Sequence, residues 1–221
     1  MTHICLLLSG AALLINGLAL LGTLPRRDAA VFSLLIGSIQ LVLAVVHVSA
    51  SGVSAGGGTP SLLGASGMFL FGLTYTYVGL DVLLALGSKG LGCFCGMVAG
   101  CGLLLAASWS GQDLLLAVLW LCWAYLWLLF FLHLALGVER LRPLIGWSLV
   151  LTSQASATAP AVLGITGQWP GDPTGATAAA ALLALLLLAL LLLAGGLARR
   201  GRRIAARAAT GNSPLPGQLR L

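Results

Sequence analysis

Trp120, Trp123 and Trp127 stand at spacings of three and four residues inside one long apolar segment. In a helix that spacing puts all three indoles on one stripe. The stripe runs about 10 Å along the axis, deeper than the headgroup belt in which membrane tryptophans anchor helix ends. Phe71 and Tyr75, four apart, form a second aromatic pair, and Asn16 with Thr152, Ser153, Gln154, Ser156 and Thr158 add sparse hydrogen-bonding groups. This is the chemistry of recognition without reaction. Aromatic faces would sandwich a small, neutral, flat, polar solute while a few donors and acceptors replace part of its hydration. An ion would be served poorly, because no carbonyl-filter signature and no deep ring of acidic or basic side chains is present. One tryptophan in such a place reads as helix packing; two aromatic stripes with polar groups beside them read as a lining.

The elements that must position these residues follow from composition. Of 221 residues, 59% are hydrophobic and 7% charged, against roughly a quarter charged in a soluble domain. With a mean hydropathy of +1.06, the bilayer is the solvent. Long apolar runs between short polar breaks mean helices rather than an alternating β-barrel. At about twenty residues per crossing, seven spans are predicted: Ile4–Leu24, Ala29–Ser49, Leu62–Leu86, Leu91–Trp109, Leu114–Gly137, Leu144–Ile165 and Thr177–Ala198. The first break holds Arg26 and Arg27, the third Lys89, the fifth Arg140 and Arg142, and the remaining six arginines follow the seventh span. The second, fourth and sixth breaks hold none, so the positive-inside rule predicts an outer N-terminus and a cytoplasmic C-terminus.

The net charge of +6 resides in that tail, since the other five bases balance five acids. Beside a membrane exit, a basic tail fixes topology or meets anionic headgroups; no nucleic-acid partner is expected. The tail from 199 to 221 is predicted to be disordered. The apolar N-terminus lacks a basic n-region and a small-residue cleavage pattern, and is read as a mature helix.

Isolated polar residues within the spans are each weighed as sites. Asn16 has a plain interhelical hydrogen bond as its simplest role. Asp81, towards the cytoplasmic end of the third span, is expected to reach water or pair with Lys89. His47 is read as solvated at the outer end, and His133 as a snorkelled residue facing the interface. Cys5, Cys93, Cys95, Cys101 and Cys122 fall in spans at spacings that fit packing, with no metal site, disulfide framework or cofactor expected. The seventh span, almost pure Ala and Leu from Ala178 to Ala194, reads as a peripheral addition. The outer loop Ser51–Ser61 contains no titratable side chain.

Leu119 to Trp127 followed by Phe130-Phe131-Leu132 resembles the fifth helix of the AmiS/UreI family of urea and short-amide channels. The run Leu70 to Gly79 resembles its third helix, Leu14-Ile15-Asn16-Gly17 its first, and Pro160 with Leu163–Gly167 and Trp169 its sixth. Four motifs in order cover about Met1 to Trp169. The resemblance implies an all-α integral membrane protein: a six-helix channel core over 1–169, an extra transmembrane helix over 170–198, and the basic tail. It also implies a pore in each protomer of a hexameric ring in the bacterial inner membrane, working passively beside a urease or amidase. By motif position Trp123, Trp127, Tyr75 and Phe71 would line constrictions, with Trp120 supporting, Asn16 near the path, and Thr152 able to donate a hydrogen bond to a passing amide. Thr152 stands where the family's acid-gated member carries a glutamate, so gating by external acid is not expected.

Two other readings remain within reach of the residues. One is a proton-coupled amide carrier, for which Asp81 is the plausible relay. The other is a non-transporting docking subunit built on the seventh helix and tail. An intramembrane enzyme is disfavoured, since His47 and His133 are predicted near opposite faces and no paired intramembrane carboxylates or metal motif accompany them.

Overall fold

The computed structural model describes residues 2–50 and 59–211, with side chains over 2–50 and 61–204. Among the described residues the fold is entirely helical, and seven segments are long and apolar enough to cross a membrane. The helices are α1 (Thr2–Leu21), α2 (Arg26–Ala50), α3 (Thr59–Leu84), α4 (Lys89–Trp109) and α5 (Leu114–Phe130), the last continued by a π-helical turn, Phe131–Ala135. The sixth crossing is compound: α6 (Arg142–Ser153), a second π-helical turn (Gln154–Thr158) and α7 (Ala159–Ile165). Pro160 accounts for that break. It lacks an amide hydrogen and its ring would collide with the carbonyl four residues back, at Ser156, and a widened turn relieves both. A long helix, α8 (Pro173–Gly211), makes the seventh crossing.

Consecutive helices are neighbours from α1 to α5, and the sixth crossing closes the ring against α1, leaving α8 outside against α5 and α6. With lipid as solvent, apolar burial supplies little attraction between helices, so small residues and hydrogen bonds must bring them together. Gly37 shows the first device: a Cβ there would sit 2.5 Å from the Thr76 amide nitrogen on α3. Gln40 shows the second, its buried amide donating to the Cys5 carbonyl at 2.7 Å and to Ser9 Oγ at 2.8 Å on α1. Leucines and valines such as Leu35, Val42, Leu104 and Leu182 face outward, while Ser148, Thr152, Ser153 and Ser156 are fully buried. The polar face expected of the sixth span is therefore turned to protein. Gln154 departs from that face and is exposed, its amide reaching only Ser153 Oγ. Cys93 is likewise exposed rather than packed.

The connection from α3 to α4 is tight, with Ala85 at φ 53°, Gly87 at φ 92° and Ser88 at φ 60°. Left-handed backbone is costly for Ala and Ser. Asp81 holds the turn: one carboxylate oxygen accepts the Ser88 amide at 2.8 Å and the other accepts the Ser88 hydroxyl. The expected partner, Lys89, is replaced by Ser88, because the turn brings the nearer donors onto both oxygens.

Two segments differ from expectation along α8. The helix does not end at 198 but continues to Gly211, so the basic stretch is helical over 199–211, where Ala and Arg are strong helix formers. Residues 212–221 lie outside the described residues, as does nearly all of the outer loop expected over Ser51–Ser61. Within α8, Ala180, Leu187, Ala194 and Ala198 are buried, a near-heptad seam against α5 and α6. At its basic end Arg202 Nη1 donates to the Arg140 carbonyl at 2.9 Å.

Candidate functional site

The aromatic residues predicted to form two walls converge on one cluster inside the ring. Phe71 on α3 meets all three tryptophans of α5, with ring centroids 4.7 Å from Trp127, 5.0 Å from Trp123 and 6.1 Å from Trp120. The Phe71–Trp123 contact is edge-on at 87°, and Trp120 packs edge-on to Trp123 at 5.2 Å. Tyr75 lies 6.1 Å from Phe71. The two walls thus touch. A flat solute lying between two rings needs about 7 Å of separation, twice the contact distance of carbon atoms, so the expected sandwich is closed in this state.

Each of three wall residues gives its polar atom to a different part of the ring. Trp127 Nε1 donates to Thr74 Oγ1 on α3 and Trp123 Nε1 to Ser156 Oγ in the second π-helical turn, both at 3.2 Å. Tyr75 Oη donates to the Ser9 carbonyl on α1 at 3.3 Å. Only apolar ring surface is left for the centre.

A cavity lies on either side of this cluster. One, about 400 Å³, opens towards the end of the ring where the basic turns lie and is lined by Asn16, Tyr75, Trp127, Asp81, His133 and Arg142 among others. The second, about 380 Å³, lies towards the opposite end and includes His3, Ser9, His47, Asp113, Trp120 and Trp169. Phe71 and Trp123 line both; the two rings are the partition. Asn16 has the expected interhelical bond, to Ser33 Oγ at 2.7 Å, and a second to the Ala12 carbonyl at 2.8 Å. With both amide hydrogens directed into protein, its oxygen is the atom left to accept from a solute in the cavity.

Thr152 is placed elsewhere. It is fully buried, its hydroxyl donates to the Ser148 carbonyl at 2.7 Å, and it lines neither cavity. His133 is also corrected: it is buried, not snorkelled. The π-helical turn at Phe131–Ala135 changes the helix register and sets it on the basic-end cavity, with Nδ1 3.9 Å from a Glu139 carboxylate oxygen.

Sequence reasoning missed Asp113 and the partners of the indoles. Asp113 caps α5 by accepting the Leu116 amide at 2.9 Å, and its second oxygen accepts Trp169 Nε1 at 2.8 Å. The cap was readable, as an aspartate just ahead of an apolar helix; its tie to Trp169, 56 residues away, was not. Trp169 in turn packs against His3, with ring centroids 5.4 Å apart. The far mouth therefore holds His3, His47 and Asp113, titratable groups that the loop-based reading did not count. Among the described residues, no three His, Cys, Asp or Glu side chains converge as a metal site would require.

Comparison with known proteins agrees with this architecture. The chain is 43% identical over 172 residues to a Rhodococcus erythropolis protein named as transporter AmiS2, covering 76% of this chain and 81% of that one. It is 35% identical to a Mycolicibacterium smegmatis protein named as a transporter of amidate substrates, over 72% of this chain and 74% of that one. Among solved structures it matches the urea channel of Helicobacter pylori, with TM-score 0.67 and 24% identity for the crystal structure. The closed-state cryo-electron microscopy structure gives TM-score 0.68 and 25% identity, each match covering 77% of this chain and all of the other. A family model for AmiS/UreI transporters matches residues 1–168, stopping short of α8. The chain, a multi-pass membrane protein, belongs to the AmiS/UreI family of transporters.

Proposed function

We propose that this protein is a passive channel for urea or short aliphatic amides, with one pore through each protomer. The observation that carries the reading is the meeting of two cavities at opposite sides of one aromatic partition inside the ring of a single chain. A solute leaves bulk water in one cavity, passes the Phe71–Trp123 partition as the rings part, and is rehydrated in the other. The partition presents apolar ring faces because the polar atoms of Trp123, Trp127 and Tyr75 are bonded elsewhere. That surface suits a flat neutral molecule and rejects an ion, whose lost hydration it cannot replace. The Asn16 oxygen receives the amide hydrogens of the solute. Trp120 backs the partition.

The relatives named as amide transporters support the substrate class, and the urea channels of matching fold support a channel. Passive flow fits Asp81, whose two oxygens each accept a bond from Ser88 and so hold the α3–α4 turn, a structural role that accounts for the carboxylate without a proton relay. Independence from external acid fits the absence of an ionisable group at Thr152. By the positive-inside rule the basic end is cytoplasmic, in a bacterial inner membrane. Assembly as a homo-hexamer and service to a urease or amidase complete the proposal.

The partition itself is open to test. Phe71→Ala removes the ring that meets all three tryptophans, so the variant should pass isobutyramide several-fold faster in proteoliposomes while acetamide changes less. Equal effects on both amides, or none, would remove Phe71 from the path.

A further inference from the structure

Trp123 and Trp127 are neighbours on one helix, yet their indole nitrogens are held by hydroxyls from two other elements. Thr74 comes from α3, one helix turn from Phe71; Ser156 comes from the π-helical turn of the sixth crossing. Both hydroxyls are themselves buried or nearly so. Thr74 Oγ1 is fixed in turn, donating to the Leu70 carbonyl at 2.7 Å while it accepts from Trp127. An indole turns about a broad, soft terminal torsion, and an apolar pocket alone leaves that torsion weakly set. A hydrogen bond at the ring edge sets the plane of each indole and hence the shape of the gap that opens when Phe71 yields.

The π-helical turn has a place in this arrangement. A π-helical turn shifts the helix register by one residue, so Ser156 would point about 100° away if the crossing were α-helical throughout. The irregular turn thus delivers to Trp123 a hydroxyl that a regular helix would direct elsewhere.

We propose that Thr74 and Ser156 are positioning residues for selectivity: by pinning the indole edges of Trp127 and Trp123, they set which amides fit the partition. This rests on the pore reading above. Neither hydroxyl needs to touch the solute. Thr74 lines the basic-end cavity, but its hydrogen goes to Leu70 and one of its two lone pairs to Trp127, so it has no hydrogen left to donate to a solute. Loosened indoles should admit bulkier amides, so the ratio of acetamide to isobutyramide permeability is the quantity to read.

The test uses the full chain in proteoliposomes, with stopped-flow permeability for acetamide and isobutyramide corrected for empty vesicles. Wild type should discriminate by on the order of tenfold, the scale at which a fitted apolar wall resolves added methylenes. Thr74→Val and Ser156→Ala should each reduce that ratio to about threefold or less. Thr74→Ser, which keeps the oxygen, should restore it. Ser156→Ala removes a single atom, which guards against loss of the fold, and the thermal midpoint of each variant is read alongside. A ratio unchanged in both Thr74→Val and Ser156→Ala, with wild type selective, overturns this inference and leaves the pore intact. Wild-type vesicles no more permeable than empty ones overturn the pore reading and this inference with it.

Discussion

Trp123, Trp127 and Asp81 are buried polar or amphipathic residues whose behaviour depends on where their polar atoms are bonded. The indoles are bonded away from the centre and present carbon to it. Asp81 is the converse case: it lines the basic-end cavity, yet both oxygens hold the left-handed Ser88. Asp81→Ala should therefore cost about 1–3 kcal/mol of stability, as loss of these bonds leaves the Ser88 donors without their acceptors. Asp81→Asn, which keeps one acceptor, should conduct acetamide at a rate close to wild type whether or not a proton gradient is imposed. Melting in detergent and flux in vesicles check the two statements, and loss of flux in Asp81→Asn would favour a proton-coupled carrier. At this scale the aromatic wall was legible, because i, i+3 and i+7 spacing states a helix face directly. The partners were not: Trp127 bonds a residue 53 positions away, and Trp123 one 33 away, and no local pattern encodes such pairs.

Elements were legible where hydropathy and charge marked them and obscured where the helix departs from regularity. All seven crossings lie where apolar runs and basic turns indicate, with limits shifted by a few residues except at the C-terminal end of α8, which runs on to Gly211. The two π-helical turns, by contrast, change register inside a crossing, and the first carries His133, which was read outward and is buried; Thr152, assigned by motif position, precedes the second turn and lines neither cavity. Helix α8 lies outside the ring, and the family match ends before it. Its seam of Ala180, Leu187, Ala194 and Ala198 and the Arg202–Arg140 bond brace the α5–α6 side without lining either cavity. A chain ended after Trp169 should thus keep its amide selectivity and lose a few degrees of thermal midpoint, at roughly 2–4 °C for each kcal/mol of packing removed. Flux abolished in a truncated chain that remains folded would instead make α8 part of the transport machinery.

The whole molecule is a closed ring whose interior is blocked by rings rather than by charge. Most buried polar groups bond within the protein, leucines and valines cover much of the outside, and the two cavities approach from opposite ends without merging. The composition made a membrane bundle legible, with seven helices long and apolar enough to cross a bilayer. The partition was not legible, because whether two aromatic walls face each other across a gap or touch depends on how closely α3 and α5 pack. The function proposed for this ring is passive passage of small amides through that partition. It is tested most directly by stopped-flow permeability of urea and acetamide in proteoliposomes of the wild-type chain, with and without a proton gradient. Flux well above empty vesicles is expected, linear in solute concentration through the low millimolar range and unaffected by the gradient; flux equal to empty vesicles, or flux that follows the gradient, would mean that the partition is no passive path for amides.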